Sequence, residues 1–152
     1  MGSYQQQALQ SASAVDLVVA LYDGILRFLY EAQAAVERGD EAGRRTAVKR
    51  ALDIVIHLQA RLRMDVGGRP ARALAEFYAA VFAQILQASQ SASVEKFERA
   101  IESVRNVRDA WRAVARDPKV NPAPAQVEAM PGRRGDFDLD ELGGGGSSRW
   151  NA

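Results

Sequence analysis

The chain has 152 residues, 47% of them hydrophobic, enough for one sizeable core and by default one domain. It has no cysteine, which excludes disulfide frameworks and thiolate metal sites, and its single histidine would leave any zinc site to carboxylates. The net charge of +1 divides into +3 over residues 1–116 and −2 over 117–152, too weak a balance for nucleic acid, which demands a concentrated positive face.

Residues 1–12 are polar and small, with Tyr4 and Leu9 as their large apolar side chains, and read as a mobile N-terminal arm that docks through those two. Ser13 and Asp16 then suit a helix start, because both can accept hydrogen bonds from orphan backbone N–H groups. The helix predicted over about Ala14–Glu37 carries two apolar stripes. Val15, Val18, Tyr22, Ile25, Leu29, Ala32 and Val36 form one; Leu17, Leu21, Gly24 and Phe28 form a second, about 100° away. One stripe suffices for packing in a small bundle, so the second must meet another helix or a partner. Gly24 inside a helix costs roughly 1 kcal/mol relative to alanine, which points to close approach of another helix at Asp23–Gly24, either the chain's own or a foreign one.

Gly39 suits a left-handed C-terminal cap, and Asp40 can cap a second helix over about 41–65, with Val48, Ala51, Leu52, Val55, Leu58, Gln59 and Leu62 inward and Ile54 and Ile56 widening the stripe. Gly67-Gly68 closes it, and Pro70 suits the first turn of a third helix, about 70–88, presenting Leu74, Phe77, Tyr78, Val81, Phe82, Ile85 and Leu86. Ser93 caps a fourth, whose stripe runs through Val94, Phe97, Ile101, Val104, Val107, Trp111 and Val114 until Asp117-Pro118 ends it. No segment alternates with period two. The prediction is all-α: an antiparallel up-down four-helix bundle over 13–116, preceded by the short arm and followed by a disordered tail over 117–152. Four of the five prolines and the run Gly143–Gly146 lie in that tail, which lacks the apolar density to offset ordering entropy. Within it, Asp136-Phe137-Asp138-Leu139-Asp140-Glu141-Leu142 interleaves acids with bulky side chains; it reads either as a solvated tail or as a segment that docks on the bundle or a partner.

Catalytic chemistry has little to stand on. His57 lacks the lysine–glycine pair three and four positions later that phosphotransfer bundles usually show, and Glu95, Glu98 and Glu102 lie near arginines, as solvated ion pairs do. Arg105, Arg108, Arg112 and Arg116 form one positive ridge, which either stays wet or receives an acidic partner. There is no phosphate-cradling loop and no nucleophile elbow. The chain is therefore expected to be no enzyme and to need no metal or cofactor. No run approaches the roughly 18 apolar residues of a membrane span, and the N-terminus does not read as a secretory signal, so a cytoplasmic location without membrane insertion is expected.

Several of these residues also resemble a family. Tyr4-Gln5-Gln6, then Ser11-Ala12-Ser13, Asp16-Leu17 and Leu21-Tyr22-Asp23-Gly24 resemble the opening of the flagellin export chaperones of the FliS type. Arg61-Leu62-Arg63-Met64-Asp65-Val66-Gly67-Gly68 resembles their Leu-x-x-Leu-Asp…Gly corner. Leu74-x-x-Phe77-Tyr78 and Val107-Arg108-Asp109-Ala110-Trp111 are similar to their third-helix and last-helix patterns. Ala14 and Ala20 depart from the family's usual proline and bulky residue, and residues 117–152 lie outside the resemblance.

The resemblance implies a cytoplasmic chaperone that binds the disordered C-terminal region of flagellin, prevents premature polymerisation and helps deliver it to the flagellar type III export gate. The expected partner surface is Leu17, Leu21, Tyr22, Asp23, Gly24, Phe28, Phe77 and Phe82, with Tyr4 and Leu9 of the arm covering part of it or engaging the gate. Two readings of other classes stand beside it: a phosphotransfer bundle working through His57, and a scaffold that homodimerises through its surplus apolar face.

Overall fold

The computed structural model describes residues 2–117, with side chains from Ala14 onward. Four helices follow one another: α1 (Gly2–Glu37), α2 (Glu41–Ala60), α3 (Gly68–Gln90) and α4 (Val94–Arg116). α1 lies between α2 and α4, and α3 closes the ring by touching the same two helices. Gln33 near the end of α1 bonds Val94 and Glu98 at the start of α4, while Asp23 bonds Arg108 near its end, so neighbours run antiparallel. This is the expected up-down four-helix bundle, with no strand among the described residues.

The boundaries differ from expectation at two places. α1 is already helical at Gly2, so Ser13 and Asp16 lie inside a helix rather than at its cap. At 36 residues, or about 54 Å, α1 is much longer than its neighbours. Its last turns are level with the start of α4, so the extra length projects from the opposite end of the bundle. α2 stops at Ala60 instead of continuing to 65, leaving Leu62 in the loop. Gly67 closes that loop at a contact no side chain could occupy: a Cβ there would lie 2.6 Å from the Arg63 carbonyl oxygen and 2.4 Å from the Ala71 Cβ.

The hairpins α1–α2 and α3–α4 are closed by the same device. Gly39 takes φ +72°, which lets its N–H donate to Val36 O at 3.1 Å and the Asp40 N–H to Ala35 O at 2.8 Å. Asp40 then caps α2, its Oδ1 accepting the Gly43 N–H at 2.8 Å, and that bond holds its carboxyl below the usual range. In the second hairpin Ala92 (φ +46°) and Ser93 send their N–H groups to Ser89 O and Ala88 O, both at 3.1 Å, and Ser93 Oγ accepts the Lys96 N–H at 3.1 Å. A Cβ in the left-handed region is strained where glycine is not. Ala92→Gly is accordingly expected to raise stability by about 1 kcal/mol, read as a higher urea midpoint at unchanged m-value.

The core explains the double stripe on α1. Leu21, Tyr22, Ile25, Leu26, Phe28, Leu29, Ala32 and Ala35 are all buried, because α2 covers one side of the helix and α4 another. Both stripes are used inside the bundle, and the surplus that pointed to a partner is taken up by the chain's own helices. On α2, Gln59 and Ile56 are exposed rather than inward, as is Leu86 on α3.

Candidate functional site: the open end of the bundle

Burial is lopsided. On α1 it runs from Leu21 to Ala35 and on α4 from Phe97 to Val104, so both helices lose cover toward the end where α1 begins and α4 stops. Toward the opposite end, Leu17, Val18, Leu62, Leu74, Phe77, Val107 and Trp111 are only partly buried, packed on the rim of the core. The neighbouring loop adds Met64 (51% exposed) and Val66 (71%). A small bundle that leaves this much apolar surface at one end offers a docking place of the kind that takes an amphipathic segment.

Under that rim lies an aromatic layer. Tyr22 stacks on Phe77, with centroids 6.4 Å apart and planes 8° apart, and tilts against Tyr78. The Tyr22 hydroxyl donates to the Tyr78 hydroxyl at 2.9 Å, and the Trp111 side chain also hydrogen-bonds Tyr22. Burial raises the proton affinity of both phenols, that of Tyr78 most, so both stay neutral at ordinary pH. The layer is therefore held together by shape and neutral hydrogen bonding.

The charged flank is organised by Asp23. It accepts from Arg108 Nη1 at 2.8 Å and lies 3.6 Å from Arg112 Nη2, tying the middle of α1 to the last turns of α4. Asp23 in turn strengthens the Arg108 guanidinium's hold on its proton. Arg105 reaches the Tyr30 hydroxyl, and Glu98 accepts from Gln33 Nε2 at 2.9 Å. His57 accepts from Arg61 Nε at 2.9 Å, and partial burial, then the Arg61 charge, lowers its pKa. Among the described residues no three His, Asp or Glu gather as a metal would need, and no helix is long and apolar enough to cross a membrane.

The sequence-predicted partner residues are thus divided. Leu21 (1% exposed), Tyr22 (0%), Phe28 (1%) and Gly24 are buried in the core, where the helices beside α1 cover them. Asp23 is half-buried and engaged within the bundle. Leu17, Phe77 and Phe82 are half-buried at the surface, but Phe77 and Phe82 are five residues apart on α3 and so point to different flanks. The side chains of Tyr4 and Leu9 lie outside the described residues, as does the tail with its 136–142 segment. Val18, Leu74, Val107 and Trp111 lie at the surface too, and the places of Leu74 in the second turn of α3 and Trp111 five residues before the end of α4 were a signal that fewer helices surround them.

An all-helical bundle with one partly buried apolar end presents the kind of surface that binding modules use. A sequence model of the family described as Flagellar protein FliS matches residues 1–118. The chain belongs to the FliS family. Similar FliS proteins include the flagellar secretion chaperone FliS of Vibrio cholerae serotype O1, 31% identical over 103 residues, which are 68% of this chain and 76% of that protein. The flagellar secretion chaperone FliS of Salmonella typhimurium is 29% identical over 111 residues, 72% of this chain and 82% of its own. That of Campylobacter jejuni is 30% identical over 112 residues, 74% and 88% of the two chains. FliS membership confirms the resemblance carried by Leu21-Tyr22-Asp23-Gly24 and the corner at 61–68, even though the first of these motifs serves the core.

Proposed function

We propose that this chain is a cytoplasmic flagellar export chaperone that binds the disordered C-terminal region of flagellin, keeps it from polymerising early and helps bring it to the type III export gate. The observation that carries the reading is the family match over residues 1–118. The open apolar end supports it physically, since an amphipathic client segment can fold against Leu17, Leu74, Phe77 and Trp111. Ordering the client costs several kcal/mol of the gross interaction, which keeps the complex reversible, as delivery requires. No catalytic step belongs to this reading.

Calorimetric titration of a flagellin C-terminal peptide into the full chain tests it. Binding is expected, and Leu17→Ser with Phe77→Ser is expected to weaken it about tenfold or more, since buried aromatic and aliphatic anchors dominate such contacts. Circular dichroism should stay helical, because both side chains are only partly buried. Absence of binding to the unmodified chain overturns the flagellin reading; undiminished binding by the variant moves the client away from the open end.

A further inference from the structure

The family match ends at residue 118, and 34 residues follow it. They leave the bundle from Asp117, directly beyond the last turn of α4, which is part of the open end. On the α3 and α4 side of that end, residues 68–78 and 105–116 hold Arg69, Arg72, Arg105, Arg108, Arg112 and Arg116 against Glu76 and Asp109, and Asp23 of α1 is shared by Arg108 and Arg112, so six cations face three acids. Between them lie the partly buried Leu74, Phe77, Val107 and Trp111. The surface is thus apolar at its floor and basic at its edges.

The tail contains one segment of complementary chemistry. Over residues 136–142 it carries four acids and no base, and Phe137 and Leu139 alternate with Asp136, Asp138 and Asp140. An extended backbone places alternate side chains on opposite faces, so this segment can set Phe137 and Leu139 on a surface while its carboxylates stay in water, drawn by the flanking cations over a few ångströms rather than paired with them. The linker from Asp117 to Asp136 spans up to about 60 Å when extended. Trp111 lies only about 7.5 Å along the helix from the end of α4. Tethering over that reach gives an effective concentration in the millimolar range, so even a weak contact is substantially occupied.

We propose that residues 136–142 dock on the chain's own open end, over Phe77 and Trp111 and between the arginines of α3 and α4, as an internal stand-in for the client. The bundle's apolar mouth is then covered until a client displaces the tail. The competition part rests on the flagellin reading; the docking itself does not.

The test uses the isotopically labelled full chain and its Phe137→Ser, Leu139→Ser variant, both positions lying outside the helices. Docking predicts that the Leu74 and Phe77 amide resonances and the Trp111 indole resonance differ between the two proteins, that the unmodified chain moves toward the variant at high salt, and that flagellin peptide binds the variant about three- to tenfold tighter. Spectral changes confined to residues near 137–139 overturn the proposal, as do changes that grow with protein concentration, which would mean docking between copies. If the open-end resonances shift but the peptide binds neither protein, the docking stands and the flagellin reading falls.

Discussion

Phe28→Ala is expected to lower the unfolding free energy by about 3–5 kcal/mol, a third or more of what a domain of this size usually has. The ring is 1% exposed among the α1–α2 core residues, and the Arg27 and Arg50 guanidinium carbons lie 5.6 and 5.9 Å from its centroid. Removing it leaves a cavity that packed helices cannot collapse around, and it also takes away the face on which two cations rest. Urea unfolding followed by circular dichroism measures the loss. Combined with Tyr22→Ala the effect should exceed the stability of most small domains, so the double variant is expected to lose helicity rather than only a binding site. A double variant that remains helical with a cooperative transition near the original midpoint would contradict the placement of these rings in the core.

The second large effect is alkaline. Tyr22 and Tyr78 share a hydrogen bond in a dry layer, and burial raises both pKa values above the ordinary value near 10. In the unfolded chain both ionise as pH passes 10, while the folded chain retains the protons. The folded state therefore binds more protons, and stability falls as pH rises. The stabilising contribution is complete below pH 10 and is lost as pH climbs toward the folded-state values, at most about 1.4 kcal/mol per pH unit for a phenol that stays protonated in the folded chain. Urea midpoints measured from pH 8 to 11.5 should be flat at first and then decline steeply. Replacing both residues by phenylalanine should flatten that decline, and Tyr22→Phe alone should cost about 1–3 kcal/mol at neutral pH, because it strands polar partners in an apolar setting.

The sequence revealed the ring of helices far better than it revealed which faces are free. Asp40, Ser93 and Gly39 carry their signals in the side chain itself, and each caps as its chemistry dictates. Ala92 sends no such signal, because alanine is rarely held at positive φ and only the hairpin's closure holds it there. The early start of α1 was hidden for a different reason: Gln5-Gln6-Gln7-Ala8 shows no apolar period, though glutamine and alanine are good helix formers. For the site, an apolar period says that a helix face meets another surface, never whose surface it is. Leu21 and Phe28 meet neighbours in their own chain, whereas Leu74 and Trp111 run past the place where neighbours stop.

The two hairpin turns, each with a left-handed residue followed by a capping side chain, sit together at one pole of the molecule. That pole carries two capped turns, whereas the other is closed by the single α2–α3 loop and rimmed by side chains that are only partly buried. Local opening is expected to start at the partly buried rim and die out along the helix axes, as fraying does in a rope whipped more firmly at one end. A guest taken up there would stiffen the loosest part of its host while leaving the clamped half unchanged, so loading and unloading can proceed without the fold itself being put at risk.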